Sequence, residues 1–273
     1  MVGRNDGSAP IQALLAQLNA PKWKFWHRGA LRLEAAQNLA AMGESGVDAL
    51  IESLSGPGAA YAGAALVSLG PSVVPILLKA LRGPGAAYAV HAITQLGSPC
   101  LPELINELSG PGAAYAVLAI VPLGMDAIPS LADALKGPGK AYARLAIDKV
   151  IESFTPEQLI TQLGKPGAAY AVISLEPKAA QYVPNLIGEL SGEGAANASL
   201  LLRKGGARAV AGLTQALKHP NVTVRMWAAM NLGAMGDAAA SSIPALAEAS
   251  KAGTDAGGLA AKQALDALRN KPR

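Results

Sequence analysis

One cysteine, Cys100, is present in 273 residues. A lone thiol forms neither an internal disulfide nor a cysteine-based metal cluster, and it suits a reducing compartment. Aromatic residues make up only 4% of the chain, so the core is not built around large rings. The three histidines, His27, His91 and His219, lie far apart, with no second His or Cys at ligand spacing; no metal is expected. No run of 18 uninterrupted apolar residues occurs, so no membrane span is predicted. The opening MVGRNDGSAPIQALL carries an arginine but no apolar core of signal-peptide length. Charged residues are scarce at 15%, and the net charge of +4 is weak evidence for nucleic acid. These scarcities point to a soluble cytoplasmic protein. No cofactor and no reaction type is indicated.

What is abundant is small and aliphatic. Hydrophobic residues reach 51% with few rings among them, so Ala, Leu, Val and Ile dominate. Ala and Leu favour helix, and Ala lets helices approach closely. The chain also repeats itself, and repeats decide a fold before anything else. SGPGAAYAGAALVSLG from Ser55, RGPGAAYAVHAITQLG from Arg82 and SGPGAAYAVLAIVPLG from Ser109 are near copies. The joint proline recurs at Pro57, Pro84, Pro111, Pro138 and Pro166, at intervals of 27, 27, 27 and 28 residues. A tyrosine follows in step at Tyr61, Tyr88, Tyr115, Tyr142 and Tyr170; one period on, GEGAANA has Asn197 in that slot.

Each period divides into two helices. The first is expected from Pro57 to Leu69, stopped by Gly70. The second is expected from about Pro71 to Leu81, with Val74, Leu77, Leu78 and Leu81 forming one helical stripe. The stripe recurs at Leu101, Leu104, Ile105 and Leu108, and at Val183, Leu186, Ile187 and Leu190. Proline after the first stripe residue (Pro75, Pro102, Pro184) fits the first helical turn. A single helix pair cannot bury its stripe, but stacked pairs can. The expectation is a single all-α, right-handed α-solenoid domain of about eight two-helix repeats over 1–273. Residues 1–54 would form an amino-terminal cap and first repeat, 55–217 the compressed repeats, and 218–273 the last repeat and cap.

LRLEAAQNLAAMG, from Leu31, and VRMWAAMNLGAMG, from Val224, resemble the first helix of HEAT-like repeats of the type seen in phycobilin lyases and many bacterial scaffolds. SSIPALAEA, from Ser241, resembles that family's second helix. The resemblance implies a HEAT-like fold, while such arrays serve many roles. The family's arginine position is held by Arg32 and Arg225 but by Ala59, Ala86, Ala113, Lys140, Ala168 and Ala195 in the middle units. The tyrosine slot normally holds a small residue in that family.

Three places are candidates for binding. The tyrosines Tyr61, Tyr88, Tyr115, Tyr142 and Tyr170 either line a recess or, as space-filling rings between first helices, lock the stack; the locking role is favoured. PKWKFWHRG, from Pro21, interleaves Trp23, Phe25 and Trp26 with Lys22, Lys24 and Arg28, which suits nucleic acid bases, a membrane surface or an acidic partner, or caps the array. The outward row of the second helices reads Glu52, Lys79, Asn106, Asp133, Thr161, Gly188, Gln215 and Glu248. This row is mixed and slightly acidic, unlike a duplex-DNA reader. KGPGKAYA, from Lys136, lacks the spacing and the preceding strand of a phosphate loop. The favoured function is a non-enzymatic scaffold for a protein or peptide. The alternatives are a phycobilin-lyase-like or chaperone-type protein holding a chromophore or its acceptor, and a nucleic-acid binder through 21–32.

Overall fold

A computed structural model describes residues 8–20 and 28–270, all helix and turn with no strand among them. The chain divides into two units, 1–150 and 151–273. In the first, α1 (Ser8–Leu18), α2 (Arg28–Ala41), α3 (Glu44–Ser53), α4 (Ala59–Ser68), α5 (Val74–Ala80), α6 (Ala86–Leu96), α7 (Leu101–Glu107), α8 (Ala113–Ile120) and α9 (Ile128–Ala134) precede α10 (Lys140–Glu152). The even-numbered helices α2, α4, α6 and α8 pack side by side in one layer, and the odd-numbered α1, α3, α5, α7 and α9 in the other. The second unit contains α11 (Pro156–Ile160), α12 (Ala168–Leu175), α13 (Val183–Gly188), α14 (Ala195–Lys204), α15 (Ala207–Ala216), α16 (Val222–Met235), α17 (Ile243–Ala252) and α18 (Ala256–Arg269). Here α12, α14, α16 and α18 make one layer, with α11, α13 and α15 following one another in the other. Each unit is thus an α-solenoid stack of helix pairs.

The stripes read from sequence supply the core, with Leu78, Leu101, Ile105 and Ile187 half-buried at its edge. Val74, Leu77 and Leu81 are buried, as are Leu104 and Leu108, and Val183, Leu186 and Leu190. Both helices of a pair are shorter than their sequence pattern suggests. The first begins at Ala59, not Pro57, because Gly56-Pro57-Gly58 is a turn: Ala59 N–H donates to Gly56 O at 3.1 Å. The second opens with a 3-10 turn, Pro71–Val73, before α5. Between the helices, Gly70 has φ 75° and Gly97 φ 78°, a backbone that a side chain would strain.

The second glycine of each joint has a different reason. A Cβ on Gly85 would lie 2.7 Å from Leu54 Cβ, and one on Gly112 3.2 Å from Leu81 Cβ. On Gly139 it would meet Leu108 Cβ at 3.0 Å, and on Gly194 it would meet Leu163 Cβ at 3.0 Å. In each case glycine backbone rides on the last stripe leucine, 31 residues upstream. Ala59, Ala86, Ala113, Ala168 and Ala195, which replace the family arginine, are buried beside these seams.

Candidate binding surfaces

The three middle tyrosines do not fill the stack. Tyr88 is 45% exposed, Tyr115 40% and Tyr142 39%, while Tyr61 and Tyr170 are half-buried. The favoured locking role of buried rings is therefore corrected for the three middle tyrosines. The helical period explains it. On α6 the buried face is Ala86, Ala89, Ala92 and Ile93, and Tyr88 stands two positions past Ala86, on the far side of the turn. Asn197, in the same slot of the second unit, behaves differently: its Nδ2 donates to Leu163 O at 2.7 Å.

One turn beyond the tyrosine slot lies a second exposed apolar position. In the first unit it holds Leu118 on α8 and Leu145 on α10; in the second it holds Ile173, Leu200 and Met230. On α8 and α10 it completes an exposed apolar pair at i and i+3, Tyr115 with Leu118 and Tyr142 with Leu145. This row escaped the sequence reading, although its signal is there: an apolar residue three places after the slot and outside the alanine face.

Lys22, Trp23, Lys24, Phe25 and Trp26 lie outside the described residues, as does the side chain of Arg28, whose backbone starts α2. The outward row of the second helices, Glu52 through Glu248, is exposed at every position.

Polar clamps tie successive joints. Arg82 Nη2 lies 2.8 Å from Glu107 Oε2, and Gly112 N–H donates to Glu107 Oε1 at 2.9 Å. Hydrogen bonding from Arg82 holds the Glu107 carboxyl below the usual carboxylate range, against the burial that would raise it. In the first unit Asn19 does a similar job, accepting from Gly58 N–H and donating to Ser53 Oγ. The family arginines keep this task where there is no glycine seam. Arg225 Nη1 donates to His219 O at 2.7 Å and to Pro220 O at 2.9 Å, and Nη2 lies 2.5 Å from Asp255 Oδ2. The buried Arg32 donates to Ala20 O.

A cleft of about 360 Å³ lies in the second unit between the end of α15, the end of α17 and the start of α18. Its walls include Leu217, Lys218, His219, Glu248 and Asp255. No group of three or more His, Cys, Asp or Glu suited to a metal ion occurs among the described residues. Cys100 is fully buried and its thiol is pushed up, first by burial and then by Glu103. Residues Ala113–Ala134 are long and apolar enough to cross a membrane, but Gly124, at φ 68°, breaks the stretch into α8 and α9.

Residues 224–251 match the model of the PBS lyase HEAT-like repeat family. No curated protein matches the chain. A solved structure described as an engineered protein is 16% identical, covers 96% of this chain and 89% of its own, and superposes with a TM-score of 0.38. The matched segment spans most of α16 and of α17, the pair in which Arg225 holds the entering loop and Leu232 and Leu246 are buried. Residues 224–251 are thus similar to one HEAT-like repeat, and they form one helix pair of an α-solenoid stack.

Proposed function

We propose that this protein is a non-catalytic scaffold that holds a protein or peptide partner on the exposed row of its first helices. One observation carries the reading: Tyr88, Tyr115 and Tyr142 stand exposed at one repeat position, with Leu118 and Leu145 beside them. Exposed apolar residues scattered singly need no explanation, but a row in register does. Tyrosine offers a large, stiff contact area at low entropic cost and is enriched in binding hot spots. The buried thiol of Cys100 fits a reducing, cytoplasmic setting.

The test is a capture from native lysate with the wild-type chain and with Tyr88→Ser/Tyr115→Ser/Tyr142→Ser. The reading expects a protein retained by the first and lost by the second, with unchanged helicity and Tm. Retention by both would move the interface off the row. A substrate turned over by the purified protein, with no protein ligand, would remove the scaffold role.

The match at 224–251 supports a second reading, in which the array holds a chromophore or its acceptor protein. Visible absorbance that copurifies from a pigment-producing host would separate it from the first.

A further inference from the structure

The last joint of the chain is built unlike the others. Forty residues separate Leu18 from Gly58, and forty separate Leu217 from Gly257. At the first pair the glycine packs onto the leucine: a Cβ on Gly58 would lie 2.6 Å from Leu18 Cγ. At the last, the stem of Arg225 lies against the glycine instead; a Cβ on Gly257 would meet Arg225 Cβ at 2.9 Å. Leu217, itself buried, forms part of the floor of the 360 Å³ cleft. That volume is within the range of small-ligand sites, about 300–1,000 Å³.

The lining separates into an apolar part and a donor-rich part. Leu217, Pro220, Ala245, Ala249 and Ala252 supply the apolar surface. Both carboxylates are already engaged: Glu248 Oε1 accepts from Lys218 Nζ at 3.1 Å, and Asp255 accepts from Arg225 and from Gly258 N–H. His219 Nδ1 accepts from Asn221 N–H at 3.1 Å, which leaves the ring's proton on Nε2. That N–H has no acceptor among the described residues, and Lys218 keeps two further N–H groups. The cleft thus offers uncommitted donors beside an apolar wall, the His219 ring N–H and two N–H groups of Lys218, while Glu248 keeps one oxygen, Oε2, without a partner among the described residues.

We propose that this cleft binds the carboxy-terminal end of a peptide. The terminal carboxylate accepts from His219 Nε2–H and Lys218, and an apolar last side chain lies against Leu217, Pro220 and Ala249. This site is independent of the first-helix row, and the serine variants of that row leave it intact.

The test uses the full chain and three probes: N-acetyl-Ala-Leu-Leu with a free carboxylate, its carboxy-terminal amide, and N-acetyl-leucine. Amide NMR spectra are followed up to about 10 mM probe, enough to reveal millimolar binding. The free-acid tripeptide is expected to shift the amides of His219, Gly253, Gly257 and Gly258. The amide probe is expected to bind at least about tenfold more weakly, since a charge-assisted hydrogen bond is lost. Ala249→Phe, which fills the cleft from a half-buried position of α17, should abolish the shifts with helicity retained; His219→Ala should weaken them. N-acetyl-leucine, which carries the same carboxylate and last side chain, is expected to shift the same amides; absence of shifts with the free acid, or equal binding of the amide, would each overturn the assignment.

Discussion

Arg82 and Glu107, 25 residues apart, meet in a two-pronged pair: Nε to Oε1 at 3.2 Å and Nη2 to Oε2 at 2.8 Å. Arg82 belongs to one Gly-Pro-Gly joint, and Glu107 lies just before the next. The same carboxylate accepts the Gly112 N–H at the start of α8, so one buried side chain holds two joints together.

Replacing Glu107 with Gln should destabilise the fold and change its acid response. The guanidinium is half-exposed, so solvent screens the ion pair. Gln keeps one oxygen for the Gly112 N–H, so most of the loss, about 1–3 kcal/mol, comes from a buried amide NH2 that meets the Arg82 donors in place of an acceptor. The carboxyl is held below its ordinary value, so its contribution is complete above an unfolded-state pKa of about 4.3 and is lost as pH falls through the folded value. Urea denaturation from neutral pH down to about pH 3 is expected to show wild type and Glu107→Gln converging below about pH 4. A gap that stays constant with pH would mean that the carboxylate charge contributes nothing.

The two glycines of a joint should respond oppositely to alanine. A Cβ at Gly85 would sit 2.7 Å from Leu54 Cβ and 3.1 Å from Leu54 C, and one of those is backbone. Gly85→Ala is expected to cost about 1–3 kcal/mol by forcing the seam apart. At Gly83 a Cβ meets only Ala80 O, at 3.7 Å. Gly83→Ala should therefore stay within about 0.5 kcal/mol of wild type. Thermal denaturation of both variants checks the pair, and equal losses would refute the seam.

The period, the second-helix stripes and their outward polar row were legible because a stacked helix must repeat its apolar face. Val74, Leu77 and Leu81 read as core and are core. The seam was legible only as a conserved spelling within the chain. That Gly85 answers to Leu54 is a contact across the stack, and no local pattern states it. The tyrosines were misplaced for a different reason. Tyr88 looked like a filler beside small residues, but Ala86, Ala89 and Ala92 already complete the buried face, which leaves the ring outside. The cleft beside Leu217 depends on where the Arg225 stem lies, which spacing alone does not give.

The buried Asn231 of α16 links that helix to α14, its neighbour in the same layer. Ser199 Oγ donates to Asn231 Oδ1 at 2.8 Å, and Asn231 Nδ2 donates to Trp227 O at 2.8 Å. Asn231→Ala should cost about 2 kcal/mol, because a buried hydroxyl loses its acceptor and packing is lost. Ser199→Ala should cost about 1 kcal/mol. A double-mutant cycle is expected to return a positive coupling; zero coupling would mean the two side chains act separately.

The exposed tyrosines predict a separation of stability from binding. A fully buried ring lost to alanine costs about 3–5 kcal/mol. Tyr115 keeps 40% of its surface in water, and its neighbours Ala113, Ala116 and Val117 carry the burial of that helix. Tyr115→Ala should therefore cost no more than about 1.5 kcal/mol, with alanine's helix propensity offsetting part of the lost contact. Leu118→Ser, on the same face and more exposed, should cost still less. Ile120→Ala, two residues further on and fully buried, should cost about 2–5 kcal/mol and serves as the internal control. Calorimetry on the three variants ranks them. If Tyr115→Ala fell with Ile120→Ala, the ring would be part of the stack after all, and the row would lose its claim as a surface kept for a partner.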